Sequence, residues 1–291
     1  MPQALTQAGF VALWHPGLIA VSLALIWAYG MAVGPWRHRF PDAAPVPRRQ
    51  VLSFVLAILS FYVAVGSPLD IVSDHYLMSA HMLEHVLLTF ALAPLLLLGL
   101  PTYLARWLVR PRPVRVVLAR MTRPLTALVL FNVIFSLFHM PKIYDYTLTH
   151  PLAHFGEHAL FVVTALFMWW PILSPLPEMP RLPDPQQLLY LFANEVFQTV
   201  AFALITFAPH PMYSVYVHAP RIFGITALQD QQLGGMLMKM GAILALGPAF
   251  WVTFFRWARR EQWAARPDRY VPTDAPRHLA SDPGATDLKG A

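Results

Sequence analysis

The chain has 291 residues, 57% of them hydrophobic and only 12% charged, with a mean hydropathy of +0.49. That balance excludes an ordinary soluble domain and defines a polytopic membrane protein. It has no cysteine, which excludes disulfides, iron–sulfur clusters and thiolate metal sites. The net charge of +6 does not indicate nucleic acid, because the basic residues sit in short loops between apolar runs.

Seven apolar runs read as membrane spans: Pro16–Gly34, Val51–Gly66, Met78–Leu100, Thr122–Met140, Pro151–Trp170, Gln187–Ala208 and Met236–Phe255. Most are near the roughly 20 residues needed to cross a bilayer; the second is short. The expected class is therefore an all-α seven-helix bundle over residues 1–257, followed by a polar tail, 258–291, whose Pro, Asp and Arg content reads as disordered. The start of the chain lacks the basic segment and small-residue cleavage site of a signal peptide, so the first span is expected to stay. Proline-rich stretches at 41–47, 111–113 and 171–185 read as stiff extended linkers.

Basic residues set the expected orientation. Arg37, Arg39, Arg48 and Arg49 crowd the first loop, Arg106 to Arg123 the third, and Arg256 to Lys289 the tail, whereas residues 67–77 carry none. The alternation puts the N-terminus outside and the C-terminus in the cytoplasm. On that topology ten of the twelve histidines, all except His38 and His278, fall on or near the outer face, so the outer half is expected to hold the site.

The third run opens SPLDIVSDHYLMSAHMLEHVLL. On one helix Asp74, Met78, His81 and His85 would share a face, with the two histidines one turn, about 6 Å, apart. The fifth run opens HPLAHFGEHAL, placing His150, His154 and His158 at four-residue intervals with Glu157 beside them. Both helices enter from the outside with histidines leading, and His139 ends the fourth span at the same level. His81, His85, His154 and His158 are thus the expected metal ligands, with His139 next. A single histidine at such a position usually bonds a carbonyl or water; two matched pairs favour ligation.

Met236 and Met240, one turn apart in LQDQQLGGMLMKMG, are further candidates, since thioethers suit copper(I). Asp70, Asp74, His75, His150 and Asp230 read as an entrance lined with cation-attracting groups. Glu84 and Glu157 are expected to orient the imidazoles or to pair with Lys239. Glu195, with Asn194 and Gln198, is expected to bond between helices. Gly234 and Gly235 would bend the helix or admit a close neighbour.

Five motifs in this order, SPLD, HMLEHVLL leading to APLLLLGLP, FHMPKIYD, the His154–Glu157–His158 start followed by MWWPI, and DQQLGGM, resemble the CtaG family of cytochrome c oxidase assembly factors. The resemblance covers roughly residues 14–257; at position 84 the family more often carries glutamine, where this chain has Glu84. It implies a seven-span protein of the bacterial inner membrane that helps to mature an oxidase; no nucleophile with its base stands out in the sequence, so a non-enzyme is expected. The implied cargo is copper passed to an oxidase subunit; the methionines suit copper(I), and whether a periplasmic donor supplies it is left open by the sequence. Two rivals stand beside it: a haem protein with two histidine axial ligands, and a metal-free scaffold for an oxidase subunit.

Overall fold

A computed structural model describes Gly9 and residues 13–264. Among the described residues the fold is all helical, with no strand. Thirteen α-helices follow in order: α1 Pro16–Val33, α2 Arg48–Val65, α3 Pro68–His75, α4 Met78–Val86, α5 Ala93–Gly99, α6 Thr102–Leu108, α7 Arg112–Met121, α8 Pro124–Phe138, α9 Pro141–Thr149, α10 Pro151–Leu173, α11 Asp184–Thr206, α12 Ser214–His218 and α13 Ala227–Ala264.

Among the described residues, six helical stretches are long and apolar enough to cross a membrane: α1, α2, the run from α4 through α5 (Met78–Gly99), α10, α11 and α13. The chain is thus a multi-pass membrane protein. The expected fourth span is shorter than predicted. Helix α8 has 15 residues, about 22 Å, and reaches spanning length only together with α7, from which it is bent by 82°. Prolines set its ends: Pro124 opens it, and Met140, forced extended before Pro141, closes it. Helix α13 is far longer than expected, 38 residues, and continues through residues 258–264 of the expected tail. The rest of that tail lies outside the described residues. Of the three proline stretches, 111–113 is a helix start rather than an extended linker, and α10 runs on through Pro171.

The stretch around the histidines departs most from a simple helix. The expected continuous face from Asp74 to His85 is broken at Tyr76 and Leu77, where Leu77 is extended (φ −130°, ψ 120°). Asp74 therefore sits on α3 and His81 on α4. Beyond His85, residues Leu87–Leu92 form a wider π-helical turn before α5. Pro94 explains it: the residue has no N–H for the carbonyl of Phe90, and its ring pushes that carbonyl away. Two of the loosened carbonyls are taken by neighbouring helices. Ser60 donates to Leu87 O at 3.0 Å, and the Trp169 indole to Thr89 O at 3.0 Å.

Helix α13 lies between α4 and α11. Glycines permit the approach: a Cβ on Gly235 would stand 2.2 Å from Thr206 Oγ1, and one on Gly241 2.5 Å from Val86. Helices α8 and α10 complete the core, and α1, burying only Ser22 and Tyr29, is peripheral. At the far end from the histidines, Asp184 holds Arg256 (2.6 Å) and Arg260 (3.1 Å), pinning α13 to α11.

Candidate metal centre

The start of α4 is set by a residue 152 positions away. Asp230 is fully buried and accepts Met78 N–H at 2.7 Å and Ser79 N–H at 3.0 Å, capping two orphan donors of the first turn. It is a structural cap and not part of an entrance, as the sequence had suggested. One turn on, His81 and His85 are both fully buried.

The two histidine pairs meet as expected. The ring centroids of His81 lie 5.2 Å from His154 and 5.6 Å from His158, and His85 lies 5.5 Å from His158. Three carboxylates join them. Asp74 Oδ1 is 3.7 Å from His81 Nδ1, and its Oδ2 is 3.6 Å from His154 Nδ1. Glu84 is 3.9 Å from His81 Nδ1, and Glu157 is 3.7 Å from His85 Nε2. Three donor sets each lie within 4.8 Å of one another: His81, His154 and His158; His81, His85 and Glu157; Asp74, His81 and Glu84.

His139 also reaches the cluster, in a different role. Its Nδ1 stands 2.7 Å from Phe135 O, which can only accept, so Nδ1 carries the proton. His139 Nε2, 3.4 Å from His85 Nδ1, is then the acceptor of that pair. His85 is left with a bare Nε2 lone pair aimed toward Glu157. Such a relay fixes the tautomer and orientation of a ligating imidazole.

The polar atoms of this cluster are extensively unsatisfied. Both nitrogens of His81, both oxygens of Glu84 and Glu157, and Nε2 of His85, His154 and His158 are buried without a hydrogen-bond partner. At about 1–3 kcal/mol each, nine such atoms would cost on the order of 10–25 kcal/mol. No ion pair from Lys or Arg reaches Glu84 or Glu157 among the described residues. A cation would satisfy nitrogen lone pairs and carboxylates together.

A tyrosine layer that sequence reasoning missed closes the cluster. Tyr144, fully buried 5.2 Å from the His81 ring, meets Tyr216 OH at 3.1 Å; Tyr216 donates to Ser73 O at 2.7 Å. Tyr213 donates to His139 O at 2.8 Å, and Asp145 fastens the start of α12 by accepting Ser214 N–H at 3.0 Å. Tyr144 lies inside the FHMPKIYD motif, which was the available signal. Asp74, 26% exposed, is the carboxylate of the cluster that reaches solvent. Burial opposes its ionisation, but the surrounding His81 and His154 imidazoles hold its carboxyl below the usual range. Asp70, one turn earlier and 3.3 Å from His15, is pushed up to about 6 by burial and by the Asp74 charge.

Other expected residues stay apart. Met236 and Met240 are about half exposed (49% and 51%) on the face of α13 opposite Gly234 and Gly241, which abut α4. Lys239 lies on the flank of α13 that meets α11. It pairs with Glu195 and donates to Thr199 at 2.7 Å, rather than reaching Glu84 or Glu157. Asn194 does bond between helices, accepting from Asn132 at 3.2 Å. His75 and His150 are exposed, the latter at 2.9 Å from Tyr146 O. A surface groove of about 880 Å³ between α8 and α11 is apolar and touches the cluster only at His139.

The fold and site together define a multi-pass helical membrane protein with a buried imidazole–carboxylate centre. Residues 27–260 match the model of the cytochrome c oxidase caa3 assembly factor family, and the chain belongs to that family. Similar proteins include uncharacterized proteins of Mycobacterium bovis and Mycobacterium tuberculosis, each 25% identical over 298 residues, covering 94% of this chain. The chain spans 44% of the length of these relatives. No solved structure matches.

Proposed function

We propose that this cytochrome c oxidase assembly factor binds copper at the histidine–carboxylate cluster and passes it to a copper centre of the oxidase. The observation that carries this reading is the set of nine buried, unpartnered donor atoms converging from α4 and α10. His81, His85, His154, His158, Glu157, Glu84 and Asp74 are the residues that would hold the ion, with His139 orienting His85. With Met236 and Met240 on the outward surface, the expected ligands that remain offer imidazole nitrogen and carboxylate oxygen. That set suits copper(II) better than a thioether-held copper(I). The cargo would come from a soluble donor on the outer side of the bacterial inner membrane, reaching the cluster past Asp74. Bound copper supplies no reaction on this chain in this reading; it is a substrate in transit.

A haem reading fits the geometry poorly. The imidazoles are packed ring against ring, 4.3–5.6 Å between centroids for the His81, His85, His154 and His158 contacts, with no slot for a macrocycle. The test is metal content and the visible spectrum of detergent-purified protein after copper loading, in native form and as His81→Ala/His85→Ala. Copper retained by the first and lost by the second, without a Soret band, is expected. A Soret band would replace the reading with a haem one, and equal copper in both would move the site elsewhere.

A further inference from the structure

His81 belongs to all three donor sets, and it is the histidine of the cluster with both ring nitrogens buried and without a hydrogen-bond partner. Its Nδ1 faces the Asp74 and Glu84 carboxylates, at 3.7 and 3.9 Å. A second donor set joins His81 to His85 and Glu157, the pair in which a bare Nε2 faces a carboxylate at 3.7 Å, and a third joins it to His154 and His158. A single tetrahedral ion takes about four ligands. The seven residues proposed to hold metal exceed that number, and His81 is the one shared by all three donor sets.

We propose that the cluster is a two-metal site in which the His81 imidazole bridges the ions. The rim position is formed by Asp74, Glu84 and His81 Nδ1, with His154, whose Nδ1 is 3.6 Å from Asp74, beside them. The deep position is formed by His81 Nε2, His85 Nε2 and Glu157, with His158 Nε2 beside them. This rests on the metal-binding reading above and adds stoichiometry and arrangement to it.

Charge supports two ions. Glu84 and Glu157 are fully buried and Asp74 is mostly so, with no Lys or Arg paired to them among the described residues. With all three carboxylates ionised, one divalent ion leaves one negative charge that either a proton or a second ion must offset. Two divalent ions balance the three carboxylates and one imidazolate. Binding of the second ion displaces the remaining His81 ring proton, which leaves to solvent by way of Asp74, and no oxidant or reductant is needed. Exposure gives the two positions different parts. The rim, with Asp74 26% exposed, is the place where an ion arrives, and the fully buried His85 and Glu157 hold one away from water.

The test is a copper(II) titration of the purified full chain, read by bound metal per chain and by electron paramagnetic resonance. Two coppers per chain are expected, with an integrated spin signal well below the copper content because a bridging imidazolate couples the two spins. Asp74→Asn/Glu84→Gln and His85→Ala/Glu157→Gln should each hold one copper with a full spin signal. One copper in the native protein would overturn the two-metal arrangement while leaving the metal-binding reading intact. Two coppers with full, uncoupled signal would overturn the bridge. No copper at all would overturn both. The native stoichiometry and spin count decide the matter even where a double variant fails to fold.

Discussion

Replacing Asp230 with alanine tests whether the cluster is held by a long-range cap. Asp230 is fully buried and takes two backbone N–H groups, at 2.7 and 3.0 Å, at the start of the helix that carries His81 one turn later. Hydrogen bonds to a charged acceptor contribute about 1.5–3 kcal/mol each, so losing both costs about 3–6 kcal/mol. The loss of a carboxylate at a helix N-terminus is included in that range. Asp230→Asn keeps the shape and one accepting oxygen but turns an amide N–H toward a backbone N–H, so about half the loss is expected. The assay is SDS-induced unfolding in mixed micelles followed by helical circular dichroism, alongside copper affinity of the folded fraction. Copper affinity should fall in the same order, alanine below asparagine below native. An Asp230→Ala protein within about 0.5 kcal/mol of native stability, the range of neutral surface changes, would refute the capping role.

His139→Ala should lower copper affinity about 10- to 100-fold without changing the number of ions bound, as expected for a residue that orients a ligand; isothermal titration separates the two quantities. Glu195→Gln and Lys239→Met should each destabilise the fold, and the double variant should recover part of the loss. A coupling energy of about 0.5–3 kcal/mol in the double-mutant cycle is expected for contacting partners. Asp70, raised to about 6 by burial and Asp74, makes the folded state favour the protonated carboxyl, so its contribution weakens stability as pH rises from about 4 through 6. Asp70→Asn should flatten that part of the stability–pH curve, measured by thermal unfolding in detergent; an unchanged slope would assign the titration to another group. Trp169→Phe, which strands the Thr89 carbonyl of the π turn, should cost about 1–3 kcal/mol.

The parts legible in the sequence are those whose signal is local and periodic. The i, i+4 pairs His81/His85 and His154/His158 had to lie on single helix faces, and their common distance from the loops brought them to one level. What failed depends on how a helix is rotated or where a distant residue arrives. Depth alone paired Lys239 with Glu84 or Glu157; the glycines at 234 and 241 instead turn that face of α13 to α4, leaving Met236 and Met240 on the other side and Lys239 on the flank that meets α11. Asp230 read as part of the entrance because nothing local shows that its partner is the restart of a helix 152 residues earlier. The break at Leu77 was hidden because Asp74 still reaches His81 from a separate helix. His139 was read as a ligand from its level in the bundle; the Phe135 carbonyl at i−4, which engages its Nδ1, is a matter of conformation that level does not show.

The most direct measurement is the copper-to-haem ratio of cytochrome c oxidase purified from cells in which the native chain is replaced by the His81→Ala/His85→Ala variant, with membrane levels of the variant confirmed by immunoblot. An oxidase that retains its haem but lacks copper is expected. A fully copper-loaded, active oxidase in those cells would contradict delivery from this cluster.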